Sequence, residues 1–381
     1  MNNYISEQIR SIGRSLVDAF VATGMAYTGI NGPYDDPETE VRNLSHLLVI
    51  ASIEYSKYGM RNYYNAIVNI ADRILAMKDS TGIYIMRMKG EKDRCNGVIG
   101  HAWLIEGLLY AYKVTNEEKY LKECKNIINK HDFNYDIGLW GRPLEKANDD
   151  SIDYTFNHQL WYAATLLEAN QYLKDEKLTE EFKCFCLKLS NNFKVGLNGR
   201  IVHGIFNRLN KKQKYREVLK YYIFCLYEII GRRSFKYKEE GYHMFNIMAF
   251  ARIFVIDEYA PIFKCNKVRK ALSYCNSSSL YEGLLSSKLQ EDLSGHGKIT
   301  KKEESEINIY GFPYNVPGFE IKYVAQAFKG IIEKEQEDRL LNNQMNLIFC
   351  ADKDNYLLRC HDKITIQYRV YEYYRFLEIA K

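Results

Sequence analysis

The chain has 381 residues, 46% of them hydrophobic and 27% charged, with a formal charge of +5, the balance of an ordinary soluble globular protein. Its basic residues are interspersed with acidic ones, which argues against a nucleic-acid partner. No run approaches the roughly 18 apolar residues of a membrane span. The first residues lack the basic start and apolar core of a secretory signal, and nine cysteines at no regular spacing read as free thiols, so the expected location is the cytoplasm.

Six prolines in the whole chain favour long helices over many short strands. Residues 5–23 form the first expected helix. Over 41–58, Leu44, Leu47, Leu48, Ala51 and Tyr55 fall on one helical face, and Gly59 ends the element. Its partner covers about 61–77. A helix apolar nearly all round follows at 98–114, then a more charged one at 117–130 with Tyr120, Leu121, Cys124, Ile127 and Ile128 on its apolar side. The pair 154–173 and 178–193 repeats the alternation. Short β-like stretches intervene around Gly82 to Ile85 and Gly138 to Trp140.

In the second half, helices are expected at 215–230, 241–259, 264–274, 318–334, 338–350 and 364–380. The polar stretch 277–305, with Ser294-Gly295-His296-Gly297, reads as a surface loop or lid. About a dozen helices, alternating buried with polar-faced, fit an all-α, single-domain (α/α)6 toroid of inner and outer rings. Such a ring makes a pocket.

The residues ahead of the buried helices carry the candidate chemistry. A phrase rich in Asn, Asp and Gly runs into an early histidine at Asn43-Leu44-Ser45-His46, Asn96-Gly97-Val98-Ile99-Gly100-His101-Ala102-Trp103 and Asp153-Tyr154-Thr155-Phe156-Asn157-His158, and more loosely at Gly241-Tyr242-His243. The interval between the first three histidines is about one helical hairpin, so His46, His101, His158 and His243 are expected to converge near the ring axis. Asp149, Asp150 and Asp153 crowd negative charge at a helix start, where a split of pKa values would supply an acid and a base; the alternative is a plain helix cap. Tyr314, Asn315 and Glu320 follow the proline-bearing loop 311–318, with Glu320 either a partner of Asp153 or a complement to the helix dipole. Tyrosine is abundant, 32 residues against 18 Phe and 3 Trp, which suits half-buried packing or sugar stacking.

Nucleotide and Ser-hydrolase motifs are missing, and no cofactor is expected. Cys350, Cys360, His361, Asp362 and His296 lack the tight spacing of a zinc site, so no metal is expected either.

The stretch Gly97-Val98-Ile99-Gly100-His101-Ala102-Trp103-Leu104-Ile105-Glu106-Gly107-Leu108, with Tyr110-Ala111-Tyr112 and Asn116-Glu117-Glu118-Lys119-Tyr120-Leu121, resembles the inner-helix, turn and outer-helix phrase of the six-hairpin glycosidase-like superfamily. That superfamily includes unsaturated uronyl hydrolases and the N-acylglucosamine 2-epimerase group. The resemblance implies an active site at the mouth of a toroid and a carbohydrate substrate. By likeness to the uronyl hydrolases, Asp153 is the general acid/base; by likeness to the epimerases, His158 and His243 are a paired acid and base.

The leading expectation is carboxylate-based cleavage of a uronic-acid-containing or amino-sugar glycan. Asp153 acts with Glu320 or Asp150, His101 and His158 orient the substrate, Trp103 and Trp161 stack on sugar, and Arg42 or Arg142 binds a sugar carboxylate. A histidine-based epimerase is the first alternative. A non-catalytic glycan-binding or scaffold protein of polysaccharide biosynthesis is the second.

Overall fold

The computed structural model describes residues 2–90, 92–143, 152–205, 234–284, 308–349 and 362–380, with the isolated positions 215, 216, 219 and 223. Helices dominate. α1 spans Asn2–Thr23, α2 Glu40–Tyr58, α3 Tyr63–Ala76, α4 Ile99–Thr115 and α5 Glu118–Ile128. They are followed by α6 (Phe156–Leu173), α7 (Glu176–Asn192), α8 (Ser234–Gly241), α9 (His243–Ile256), α10 (Asn266–Tyr274) and α11 (Ser278–Leu284). The last four are α12 (Pro317–Ala327), α13 (Lys334–Phe349), α14 (Lys363–Tyr368) and α15 (Val370–Ile379). A two-residue ribbon pairs β1 (Phe133–Asn134) antiparallel with β2 (Leu139–Trp140), Phe133 opposite Trp140.

Six helices close into a ring. α2 packs on α4, α4 on α6, α6 on α9, α9 on α12, α12 on α15, and α15 returns to α2. Each is preceded by an outer helix, α1, α3, α5, α7, α10 and α13 in turn. The architecture is the (α/α)6 toroid.

Sequence explains which helix goes where. Every residue of α4 from Ile99 to Ala111 is buried, because an inner helix touches neighbours on both flanks and an outer helix behind. α5 buries only Tyr120, Leu121, Glu123, Cys124, Ile127 and Ile128, one face of an amphipathic outer helix. Stops are local. Gly59 ends α2 at φ 73°, where its N–H reaches the Glu54 carbonyl, and Asn116 ends α4 at φ 55°. Starts are set by Asp175, whose carboxylate accepts from Lys177 N–H at 2.9 Å, and by Pro317 in the first turn of α12.

The ring is plugged midway by charge. Arg252 of α9 donates to both carboxylate oxygens of Glu168 on α6, at 3.0 and 2.9 Å, and pairs with Glu106 of α4. Arg375 of α15 reaches Glu106 at 3.2 Å and also pairs with Glu168. Two cations and two anions from four inner helices therefore close the axis.

Several expected elements are redrawn. The helix expected at 241–259 begins only at His243, after the separate α8 has ended at Gly241. The one expected at 364–380 breaks at Arg369 into α14 and α15. The polar stretch expected to be a loop from residue 277 starts as α11, whose Leu280, Tyr281 and Leu284 are buried on one side; sparse apolar residues in a serine-rich run concealed that face. The remainder of that stretch, and most of the helix expected at 215–230, lie outside the described residues. No helix among the described residues is long and apolar enough to cross a membrane.

Candidate functional site

Every inner helix starts at the same end of the ring, and a cavity opens there. It encloses about 570 Å³ of space, the open solvent at its mouth included. Asn31 and Tyr34 come from the turn before α2. Arg87, Lys92 and Asn96 come from the loop before α4, and Ile99 and Trp103 from α4 itself. Thr155, Asn157 and His158 stand at the start of α6, with His203 beside them; Lys238 belongs to α8, Tyr242 and Phe245 to the start of α9, and Tyr314 and Arg369 precede α12 and α15. Because helix N-termini carry partial positive charge, this end of the ring favours anions before any side chain is counted.

Its most ordered group is a carboxylate and imidazole pair. Asn96 and Gly97 both adopt left-handed backbone, φ 58° and 64°, which turns the chain sharply into α4 and aims the Val98 N–H at Asp153 Oδ2, 3.0 Å away. His158 Nδ1 donates to the same oxygen at 2.7 Å, and Thr155 N–H donates to Oδ1 at 3.0 Å. Burial alone would raise the Asp153 pKa, but the His158 charge and these hydrogen bonds outweigh it and hold the group at about 2. An ionised carboxylate at Nδ1 fixes the ring and leaves Nε2 as its working nitrogen. There is no room to spare. A Cβ on Gly97 would stand 2.0 Å from Asp153 Oδ2 and 2.6 Å from His158 Nδ1.

A tyrosine wall faces other parts of the lining. Tyr34 and Tyr314 meet edge to face at 5.4 Å, Tyr242 lies 5.9 Å from Tyr314, and the Tyr34 and Tyr242 hydroxyls hydrogen-bond at 2.8 Å. Several lining residues carry buried polar atoms with no hydrogen-bond partner among the described residues: Trp103 Nε1, Asn157 Oδ1, His203 Nδ1 and Arg369 Nε. Such atoms cost free energy unless something hydrogen-bonds to them. Burial, followed by the charges of Lys238 and His158, depresses the His203 pKa well below the usual imidazole value, so His203 is neutral near pH 7.

Of the residues expected from sequence, Trp103, His158 and Tyr314 line the cavity. The others among the described residues lie off the lining, each for a visible reason. Asp153 supports His158 from behind and is ionised, so it has no proton to donate at neutral pH. His101 shares a hydrogen bond with His131 at 2.8 Å and contacts the Tyr84 carbonyl at 3.3 Å, its pKa lowered by burial to about 4. His46 stacks on Tyr371 at 4.0 Å and meets Trp103 edge-on, one layer behind the lining. His243 is tied to the Ala271 carbonyl at 3.1 Å and the Ile201 N–H at 3.4 Å. Trp161 is buried, stacked on Phe245 at 4.1 Å.

Both expected carboxylate-binding arginines are taken. Arg42 is buried, paired with Glu38 and bonded to Asn31 Oδ1 at 2.7 Å, and Arg142 stands 3.6 Å from Asp93. Asn315 holds the Gly241 and Tyr310 carbonyls and accepts from Arg369 at 3.1 Å. Glu320 is fully buried behind the cavity, and burial together with the neighbouring Glu372 pushes its pKa well up despite Arg369. It does not face Asp153 across the lining. Asp149 and Asp150, like Cys350, Cys360, His361 and His296, lie outside the described residues. Asp362 is structural, accepting from the N–H groups of Ile30, Gly32 and Thr365.

His203, Lys238, Tyr242, Arg87, Lys92 and Arg369 belong to the lining but not to the sequence-derived set. Tyr242 sits inside the Gly241-Tyr242-His243 phrase, where the histidine drew attention away from the tyrosine. Lys238 lies in the charged run Lys236-Tyr237-Lys238-Glu239-Glu240, which reads as a solvated face.

No family model matches the chain. Over 361 residues it is 27% identical to archaeal glycosylation protein Q of Haloferax volcanii, a match covering 92% of this chain and 91% of that protein. Among solved structures, a GH76 alpha-mannanase of Bacteroides thetaiotaomicron aligns with a TM-score of 0.54 at 11% identity, over 97% of this chain and 94% of that one. The structural likeness agrees with the (α/α)6 toroid fold.

Proposed function

We propose that this protein is an enzyme of glycan metabolism that moves protons on a sugar held at the mouth of the toroid, with His158 as the principal acid/base group. The observation that carries the reading is His158 on the cavity lining, held from behind by Asp153 at 2.7 Å. A histidine whose Nδ1 is held by a buried carboxylate presents Nε2 for proton transfer. His203, neutral and with no partner at Nδ1 among the described residues, is the second candidate in the same lining. The glycan assignment draws support from the similarity to a protein named for glycosylation and from a fold shared with a mannanase. The tyrosines and Trp103 offer faces for a sugar ring.

Carboxylate-based cleavage draws less support. That chemistry needs two carboxyl groups flanking the bond, and no Asp or Glu is among the described residues of the lining. Two histidines instead suit removal of a proton from carbon and its return, as in epimerisation, or its loss with a leaving group, as in elimination.

The test is incubation with uronic-acid and amino-sugar oligosaccharides in D2O, reading deuterium at ring carbons by NMR. Incorporation by the wild type, falling by about 100-fold or more in His158→Gln, is the expected result. Cleavage without deuterium uptake, unaffected by His158→Gln, would overturn it.

A further inference from the structure

Four cations line the cavity, and three are already neutralised. Arg87 pairs with Asp93 at 2.7 Å and Asp36 at 3.5 Å, Lys92 with Asp36 at 2.9 Å, and Arg369 with Glu372 at 2.7 Å. Lys238 differs. Among the described residues its ammonium has no carboxylate and no hydrogen-bond acceptor, only the faces of Tyr34 and Tyr310 at 5.5 and 6.0 Å. Lys92 approaches the same Tyr34 ring at 5.3 Å, so one aromatic ring is shared by two ammonium groups.

Burial, with Lys92 second, lowers the Lys238 pKa only to about 8, which leaves it mainly charged at neutral pH. A largely buried charge without a partner is costly. The chain retains this one at the end of the ring where the inner helix N-termini add further positive potential. Trp103 Nε1 and Asn157 Oδ1, without a partner among the described residues, belong to the same lining.

We propose that Lys238 is the counter-ion for a carboxylate on the substrate, so that the cavity selects a monoanionic sugar of the uronic-acid class over neutral and amino sugars. The inference rests on the glycan reading above and deepens it. It moves carboxylate recognition from Arg42 and Arg142 to a residue with a free charge. It also fits the proton chemistry. When His158 Nε2 takes the hydrogen from the carbon bearing the carboxylate, the C–H electron pair spreads into the carboxylate as a second negative charge, and the Lys238 ammonium neutralises it. Returning a proton to that carbon restores the carboxylate.

The experiment is titration calorimetry of wild type, Lys238→Met and Lys238→Arg with glucuronic acid, glucuronamide, glucose and glucosamine. Wild type should bind the acid at least about tenfold more tightly than its amide. In Lys238→Met the ratio should fall to about one with the fold intact, because the variant removes an unpaired charge, and Lys238→Arg should keep most of the preference. A preference that survives in Lys238→Met overturns the inference and leaves the glycan reading standing. Equal binding of acid, amide and glucose by wild type does the same. Failure of all four sugars to bind any of the proteins overturns both.

Discussion

At the scale of single residues, the site depends on an amino acid with no side chain. Gly97 stands where the chain turns at φ 64° into α4, and its missing Cβ is the space that Asp153 and His158 occupy. In Gly97→Ala the methyl group would displace one or both, in addition to the strain of a left-handed alanine, about 1–3 kcal/mol. Turnover should fall at least about tenfold while the urea midpoint shifts by no more than that strain implies. Wild-type turnover in the alanine variant would mean that the pair does not need its present geometry. Asn96-Gly97 was visible in the sequence as a turn before a buried helix. Its use was not, because Asp153 reaches Gly97 only across the contact between α4 and α6.

At the scale of elements, the alternation of all-round apolar with amphipathic segments was enough to separate inner from outer helices. The apolar period says which face is buried, and a helix buried on every face needs neighbours on every side. The period is silent about charges inside. Glu106, Glu168, Arg252 and Arg375 lie on helices far apart in the chain, and no local pattern marks them as one network. They interlock α4, α6, α9 and α15, with Glu168 held ionised, against its burial, by Arg252 and Arg375. Glu168→Ala should therefore leave two arginines short of an anion and cost about 3–5 kcal/mol. Urea denaturation measures this directly, and a loss under about 1 kcal/mol would show that the network does not hold the ring together.

At the scale of the molecule, a ring works only if it closes, and the closure joins elements from the two ends of the chain. Glu54 of α2, fully buried, accepts from Arg10 of α1 at 2.8 and 2.7 Å and from the Tyr374 hydroxyl of α15 at 2.8 Å. The close packing of Gly13 on the Tyr374 ring and the hydrogen bond between Ser6 and Tyr373 extend the same seam. A chain ended before Lys363 would keep five inner helices and lose α14 and α15. It would also lose Arg369 from the cavity lining and Arg375 from the central network, and leave the apolar flanks of α2 and α12 open to water. Exposed faces of that size drive aggregation, and a partial ring has no alternative partner for them. The shortened protein should show no cooperative melting transition and should bind none of the sugars that the full chain binds. A soluble, cooperatively melting product with the full chain's affinity would mean that the cavity is built by the first five hairpins alone. In that case ring closure is a matter of stability and not of the site.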